Sequence, residues 1–125
     1  MANPNIVSVA SIYGKTVYDT DIAASAASLV SNAASSGKIY KINSLIIANI
    51  DGGTESADIT VTLRNAAGNT THSTIASTVA VPVDATLIVI AKDTSIYLEE
   101  DMSLYVLASA AGDLSATCSY EEISE

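Results

Sequence analysis

The sequence has no tryptophan and no phenylalanine. Its aromatic residues are six tyrosines, so isoleucine, leucine, valine and alanine must fill any core. Without tryptophan, a flat aromatic platform for sugars or bases has little to draw on. Cysteine occurs once, at Cys118, which excludes an intrachain disulfide and a zinc cluster built on several thiolates. Lysine and arginine together number five against fourteen acids, a formal net charge of -9. Such a chain repels nucleic-acid phosphate and anionic lipid, so DNA, RNA and membranes are not its expected partners. No apolar run approaches the roughly 20 residues of a membrane helix. The opening stretch MANPNIVSVASIYGK lacks a basic segment followed by an apolar one, so no secretory signal is read there. With the lone cysteine, this points to synthesis in a reducing cytoplasm.

What is present is alternation. The 125 residues fit one domain, and 49% of them are hydrophobic against 15% charged, which is a globular balance. In Ala57 to Arg64, Ile59, Val61 and Leu63 face one way and Asp58, Thr60, Thr62 and Arg64 the other. In LSATCSYEE, Leu114, Ala116, Cys118 and Tyr120 alternate with Ser115, Thr117, Ser119 and Glu121. Lys38 to Asn49 is apolar on both faces in its middle and reads as a central strand. Ala85 to Lys92 and Met102 to Ala110 share that character. The Ala- and Ser-rich segment Asp21 to Ser36 allows a helix with Ile22, Ala26 and Leu29 on one face, but its serine density and final Ser-Ser-Gly favour a short strand over Ala27 to Asn32.

Turn signals separate these runs. Asp51-Gly52-Gly53 marks one loop, and Asn65 to Thr71, with Gly68 where positive φ is expected, marks another. Ala110 to Asp113 is a third. Pro82 places the strand before it at an edge or at its end. The sum is eight or so strands with short turns, an all-β, single-domain antiparallel β-sandwich of jelly-roll-like character spanning residues 12–125. Residues 1–11 carry few core signals and read as an N-terminal arm.

Candidate sites are few. Glu99, Glu100 and Asp101 form a carboxylate cluster, but calcium takes about six to eight oxygens from several loops. The cluster therefore reads as a solvated turn between two core strands. Asp51, Glu55 and Asp58 match no spaced calcium motif. His72 is the only histidine and lies in a polar run, with no Gly-x-Ser-x-Gly motif to pair it with a nucleophile. Cys118 falls on an apolar strand face and reads as an inert buried thiol. Asn69-Thr70-Thr71 fits the glycosylation pattern but lacks a secretory context. No phosphate-binding loop or dinucleotide fingerprint occurs. The expectation is a non-enzymatic protein with no catalytic, cofactor-binding or metal residues. The six tyrosines remain available for interfaces.

Three stretches carry a resemblance: Gly37 to Gly52, Val79 to Ser109 and Gly112 to Ser124. Their order is a strand ending Ile-Ala-Asn-Ile-Asp-Gly, then Val-Pro-Val-Asp-Ala-Thr-Leu-Ile-Val-Ile, then Ile-Tyr-Leu-Glu-Glu followed two residues on by Ser-Leu-Tyr-Val-Leu-Ala-Ser, and a final Ser-Tyr-Glu-Glu-Ile-Ser. This resembles small virion structural proteins of tailed bacteriophages, of the marine and cyanobacterial type. The resemblance implies a capsid decoration or cement protein that binds and stabilises the shell. Its partners would be the major capsid protein or other virion proteins, with a homo-oligomer, best a trimer, on the capsid surface. A neck, tail or fibre-associated protein is the alternative, and a carbohydrate-binding adhesion module a further one. In that group a glycine often follows the two glutamates, whereas Asp101 stands there in this chain. Loops Asp51 to Ser56 and Asn65 to Thr71 and the arm are the candidate contact segments.

Overall fold

Nine strands carry the alternation: β1 Ser11–Asp19, β2 Ala27–Asn32, β3 Lys38–Asn49, β4 Ala57–Arg64, β5 Thr71–Val81, β6 Thr86–Ile90, β7 Ile96–Leu98, β8 Met102–Ala108 and β9 Leu114–Ser124. The chain is seen here as a computed structural model that describes residues 3–125. The first two residues of the expected arm lie outside them. The described residues hold one 3-10 turn, Lys92–Thr94, and no α-helix. β2, β3 and β4 have the limits expected from the sequence, so the Ala/Ser-rich segment does supply a strand.

Sheet 1 has the order β1-β9-β3-β6, with β7 also paired to β3, and sheet 2 the order β2-β8-β4-β5. All pairings are antiparallel. They are nested: β1 with β9, β2 with β8, β3 with β6 and β7, and β4 with β5. A long hairpin rolled into two packed sheets has this connectivity, which makes the sandwich a jelly roll. β9, the last strand, lies between β1 and β3.

The core is aliphatic, as the missing large aromatics require. Ile42, Leu45 and Ile47 of β3, Ile59 and Val61 of β4, Leu104 and Val106 of β8, and Leu114 and Cys118 of β9 are all buried. β3 is apolar on both faces because its period slips. Its register shifts between Ile42 and Ser44, where Asn43 has no partner on β9. Before this bulge Tyr40 and Ile42 face inward, and after it Leu45 and Ile47 do. Ile39 and Ile46 point to the opposite face, where Ile39 is still buried and Ile46 is half-buried. Two asparagines seal the inner layer. Asn32 donates to the carbonyls of Lys38 (2.9 Å) and Leu98 (3.1 Å), and Asn49 to that of Val81 (3.0 Å). No buried side-chain nitrogen or oxygen among the described residues lacks a partner, as a stable core demands.

β5 is an edge strand that ends at Val81, just before Pro82. Its register against β4 breaks three times, and Thr78 adopts φ 46° within one such break. The Thr78 N–H donates to Thr60 Oγ1 at 3.0 Å, which anchors the irregular backbone. Bulges of this kind spoil an edge as a template for another strand. β6 also lies at an edge, so its two-sided apolar pattern does not mean two-sided burial.

In the β4–β5 turn, Gly68 has φ +81°, as its sequence position suggested. A Cβ there would also collide with the Tyr105 hydroxyl. Gly68→Ala should therefore cost about 1–3 kcal/mol. An unchanged urea midpoint would show that the turn rearranges freely.

β1 opens at Ser11, one residue inside the segment expected as the arm. Asn3 to Ala10 lie back on the body: Pro4 is buried, the Asn5 N–H donates to Glu125 Oε1 (2.9 Å), and the Ala10 N–H to the Ser124 carbonyl (2.9 Å). Ile12 faces outward and is 54% exposed.

Candidate functional site: the outer face of sheet 1

The two outer faces differ. Sheet 2 presents Thr60, Thr62 and Arg64, with the Arg64 guanidinium 4.8 Å above the Tyr105 ring and its Nε donating to Thr62 Oγ1 at 2.9 Å. This face is mixed, with Tyr105 and half-buried Leu107 of β8 beside these polar groups. Sheet 1 presents apolar side chains in register. Tyr18, Thr117, Ile46 and Ile88 form one row across β1, β9, β3 and β6. Tyr97 on β7 stands beside Lys41, and Ile12 beside Ile123. Tyr18 is 69% exposed, Ile88 61% and Tyr97 42%. Exposed apolar groups aligned on one flat face mark a contact surface more than a pocket.

Strand direction sorts the charges. The β1–β2, β3–β4, β5–β6 and β8–β9 connections meet at one end of the sandwich. They hold Asp21, Asp51, Glu55, Asp84 and Asp113, with no lysine or arginine. The other end holds the arm, the C-terminus and the β2–β3, β4–β5 and β7–β8 turns. Lys38 and Arg64 lie there, while Lys92 sits on the β6–β7 connection beside the middle of β3.

The residues singled out from sequence fall into place individually. Glu99, Glu100 and Asp101 make the link between β7 and β8. Asn3 Nδ2 donates to Glu99 Oε1, Glu100 is buried, and Asp101 Oδ1 accepts from the Ala66 N–H at 3.2 Å. Asp101 has φ 61°, so it takes the left-handed position where a glycine would be easiest, and aspartate is among the residues that tolerate it. The cluster is a turn. No group of three or more His, Cys, Asp or Glu among the described residues has the arrangement of a metal site. His72 is exposed on edge strand β5. Asn69 sits in the β4–β5 turn, accepting at Oδ1 from Asn65 Nδ2 (2.8 Å). Cys118 is fully buried, and burial pushes its thiol up to about 12.

One constellation was missed. Glu122 is 7% exposed, yet it carries two ion pairs, to Lys15 Nζ at 2.7 Å and Lys38 Nζ at 2.9 Å. Hydrogen bonds from both lysines hold its carboxyl down to about 2. Beside it the Tyr40 and Tyr120 rings lie 5.3 Å apart, and burial raises both phenols. The signal was available. The Leu114, Ala116, Cys118, Tyr120 alternation continues to Glu122, and an inward carboxylate must find cations. The lysines themselves remain 40–47% exposed, so the trio pins β1, β9 and β3 together at the rim and encloses no substrate space.

No protein-family model matches this chain, and no curated protein sequence matches it. Among solved structures, it is similar to one described as "Bacillus endospore appendages form a novel family of disulfide-linked pili". That likeness has 19% identity, covers 91% of this chain and 88% of the other, and has a TM-score of 0.51. A second, the crystal structure of an infectious bursal disease virus VP2 subviral particle, is 14% identical. It covers 94% of this chain and 34% of that one, with a TM-score of 0.48. At such identities the likeness is one of fold.

Proposed function

We propose that this chain is a non-enzymatic building block of a protein assembly, and specifically a decoration protein bound to the shell of a tailed bacteriophage. The observation that carries this reading is the apolar row on the outer face of sheet 1. The four phage-like motifs add support: they fall on β3, β6 with the turn before it, β7 running into β8, and β9, and all but β8 belong to sheet 1. A fold shared with a pilus protein is compatible with service as a repeating unit. The disulfide linkage in that pilus's description does not transfer, because the single cysteine here is buried and protonated. Contacts between copies, or with a capsid protein, are non-covalent in this reading. The outer face of sheet 1 sits against the neighbour and the cation-free end stays in solvent. Binding to one state of a shell would stabilise that state by mass action, about 2.7 kcal/mol per site at a hundredfold excess over Kd.

The test is the solution mass by light scattering, followed by pelleting with emptied phage shells. A trimer, or a monomer that co-sediments with shells, is expected. Ile88→Lys should abolish either association while leaving the thermal melt unchanged, because Ile88 buries little of itself within the monomer. A monomer that ignores shells, or an Ile88→Lys variant that associates normally, would overturn the reading. Localisation of the protein to the neck or tail by labelled imaging would replace the capsid position with the second one.

A further inference from the structure

Of the described strands that end a sheet, β1 offers the regular edge. β2 slips register against β8 between Ser28 and Val30, and β5 slips three times against β4. The far side of sheet 1 is divided between β6 and the three-residue β7. β1 pairs with β9 at nine consecutive positions, Ser11 to Asp19, without a shift. Every second residue of such a strand turns its N–H and C=O away from its neighbour. On β1 those groups look out of the sheet, and among the described residues no other backbone group bonds to them. An unpaired row of this kind is a template for another strand.

The edge lacks the usual guards. β1 has no proline, and its two charged residues are Lys15 and Asp19. An inward-facing lysine commonly keeps other strands off an edge. Lys15 does lie on the inner side, in line with Val17, but its ammonium is held by Glu122 at 2.7 Å. Its charge is therefore offset within the copy. Ile12, Tyr13 and Tyr18 stand exposed along the same strand.

The spacing of the charges makes this strand its own complement. Lys15 and Asp19 lie two residues either side of Val17, on one face. An antiparallel copy rotated around Val17 sets each Lys15 opposite the second copy's Asp19. It also sets Thr16 opposite the second copy's Tyr18 on the outer face. Opposite charges, and an aromatic against a β-branched residue, are favoured cross-strand pairs. Rotation around Lys15 instead would set two lysines face to face, which is disfavoured. Both charged groups have capacity left. Asp19 Oδ1 accepts from the Asp21 N–H at 3.0 Å, which leaves Oδ2 for a cation. The Lys15 ammonium keeps donors beyond the one it gives Glu122.

We propose that β1 of one copy pairs with β1 of a second around a two-fold axis at Val17, joining two copies of sheet 1 into one continuous sheet. The contact is self-complementary and closes at two, and the broken edges elsewhere give the sheet no place to run on. The five residue pairs from Lys15 to Asp19 bury less than the roughly 1,200 Å² of a stable interface. The pairing is therefore weak between free copies and takes hold where copies are crowded on an assembly. It is separate from the outer-face row that carries the functional reading, and Ile88 lies at the opposite edge of sheet 1.

The test is disulfide trapping on free, concentrated protein, so it depends on no shell. Thr16→Cys and Tyr18→Cys are made singly and mixed in equal amounts in a glutathione redox buffer. Cys118 stays silent, since it is buried with its thiol pushed up to about 12. The mixed dimer, linked from position 16 to position 18, should exceed its random share several-fold. Adding Asp19→Asn to both proteins should cut the excess several-fold, and Asp19→Lys should remove it, each with an unchanged thermal melt. Ile88→Lys should leave the trapping as it is, so this inference and the shell reading fail separately. Mixed dimers at their random share would overturn the proposal. So would an excess of dimers linked between two positions 16, or an excess untouched by both Asp19 variants.

Discussion

Replacing Leu104 by alanine should remove about 3–4 kcal/mol of stability, the range found where a buried leucine leaves a cavity that cannot collapse. Leu104 is fully buried on β8, and β8 runs between β2 and β4 in sheet 2. Its cross-strand partners are Val30 and Leu63. The inner layer it meets is largely isoleucine and valine, whose branched side chains hold one χ1 each and repack poorly. With no phenylalanine or tryptophan nearby to swing into the gap, relaxation is limited. For a chain of this size the loss corresponds to a fall in Tm of roughly 10–15 °C. Urea melts of the two proteins measure it directly. A loss below about 1 kcal/mol would mean that the core is plastic, and the packing argument made for the whole sandwich would fail with it.

The second large effect is at Glu122. Its folded pKa is lowered, from 4.5 to about 2. A carboxylate of this kind contributes stability that is fully present above its unfolded value. The contribution is lost as pH falls through the folded one. A shift of that size caps the contribution at about 3 kcal/mol, and solvent around the half-exposed lysines screens it to about 1–2 kcal/mol. Glu122→Gln should therefore be less stable than wild type by that amount at neutral pH. The gap should close between pH 4.5 and about 2. At the alkaline limit the sign reverses. Lys15 and Lys38 are raised above 10.5, chiefly by the hydrogen bond each gives Glu122, so their share fades as pH climbs past that value. A wild type and variant that differ equally at pH 2 and pH 7 would show that Glu122 acts through packing and not through charge.

Much of the fold is legible in the sequence because period two is a local signal. The limits of β2, β3 and β4 follow from alternation and turn residues alone, and Gly68 and Pro82 announce their own backbone geometry. The nested pairing is not local. Nothing in the composition of β9 says that it enters between β1 and β3. The bulge at Asn43 is equally silent, and it decides which side chains of β3 face the inner layer. Glu122 shows the boundary between the two cases. Its face could be read by extending the alternation, but its partners come from strands separated from it by most of the chain. The exposed apolar row of sheet 1 was legible only as strands apolar on both sides. Which of those sides stays open depends on sheet order.

The position of β9 has a consequence for the making of the protein. Sheet 1 stays incomplete until β9 arrives, because β1 joins β3 only through it. Ser11 waits for Ser124, whose hydroxyl it meets at 2.7 Å across 113 positions. While the ribosome is still at work, Ile42, Leu45 and Ile47 have no lid, and the growing chain must be kept from its neighbours. Pairings this distant in sequence also make for slow closure. Sheet 1 therefore closes only once β9 has been made, and a chain cut before Leu114 would leave β1 without its partner strand.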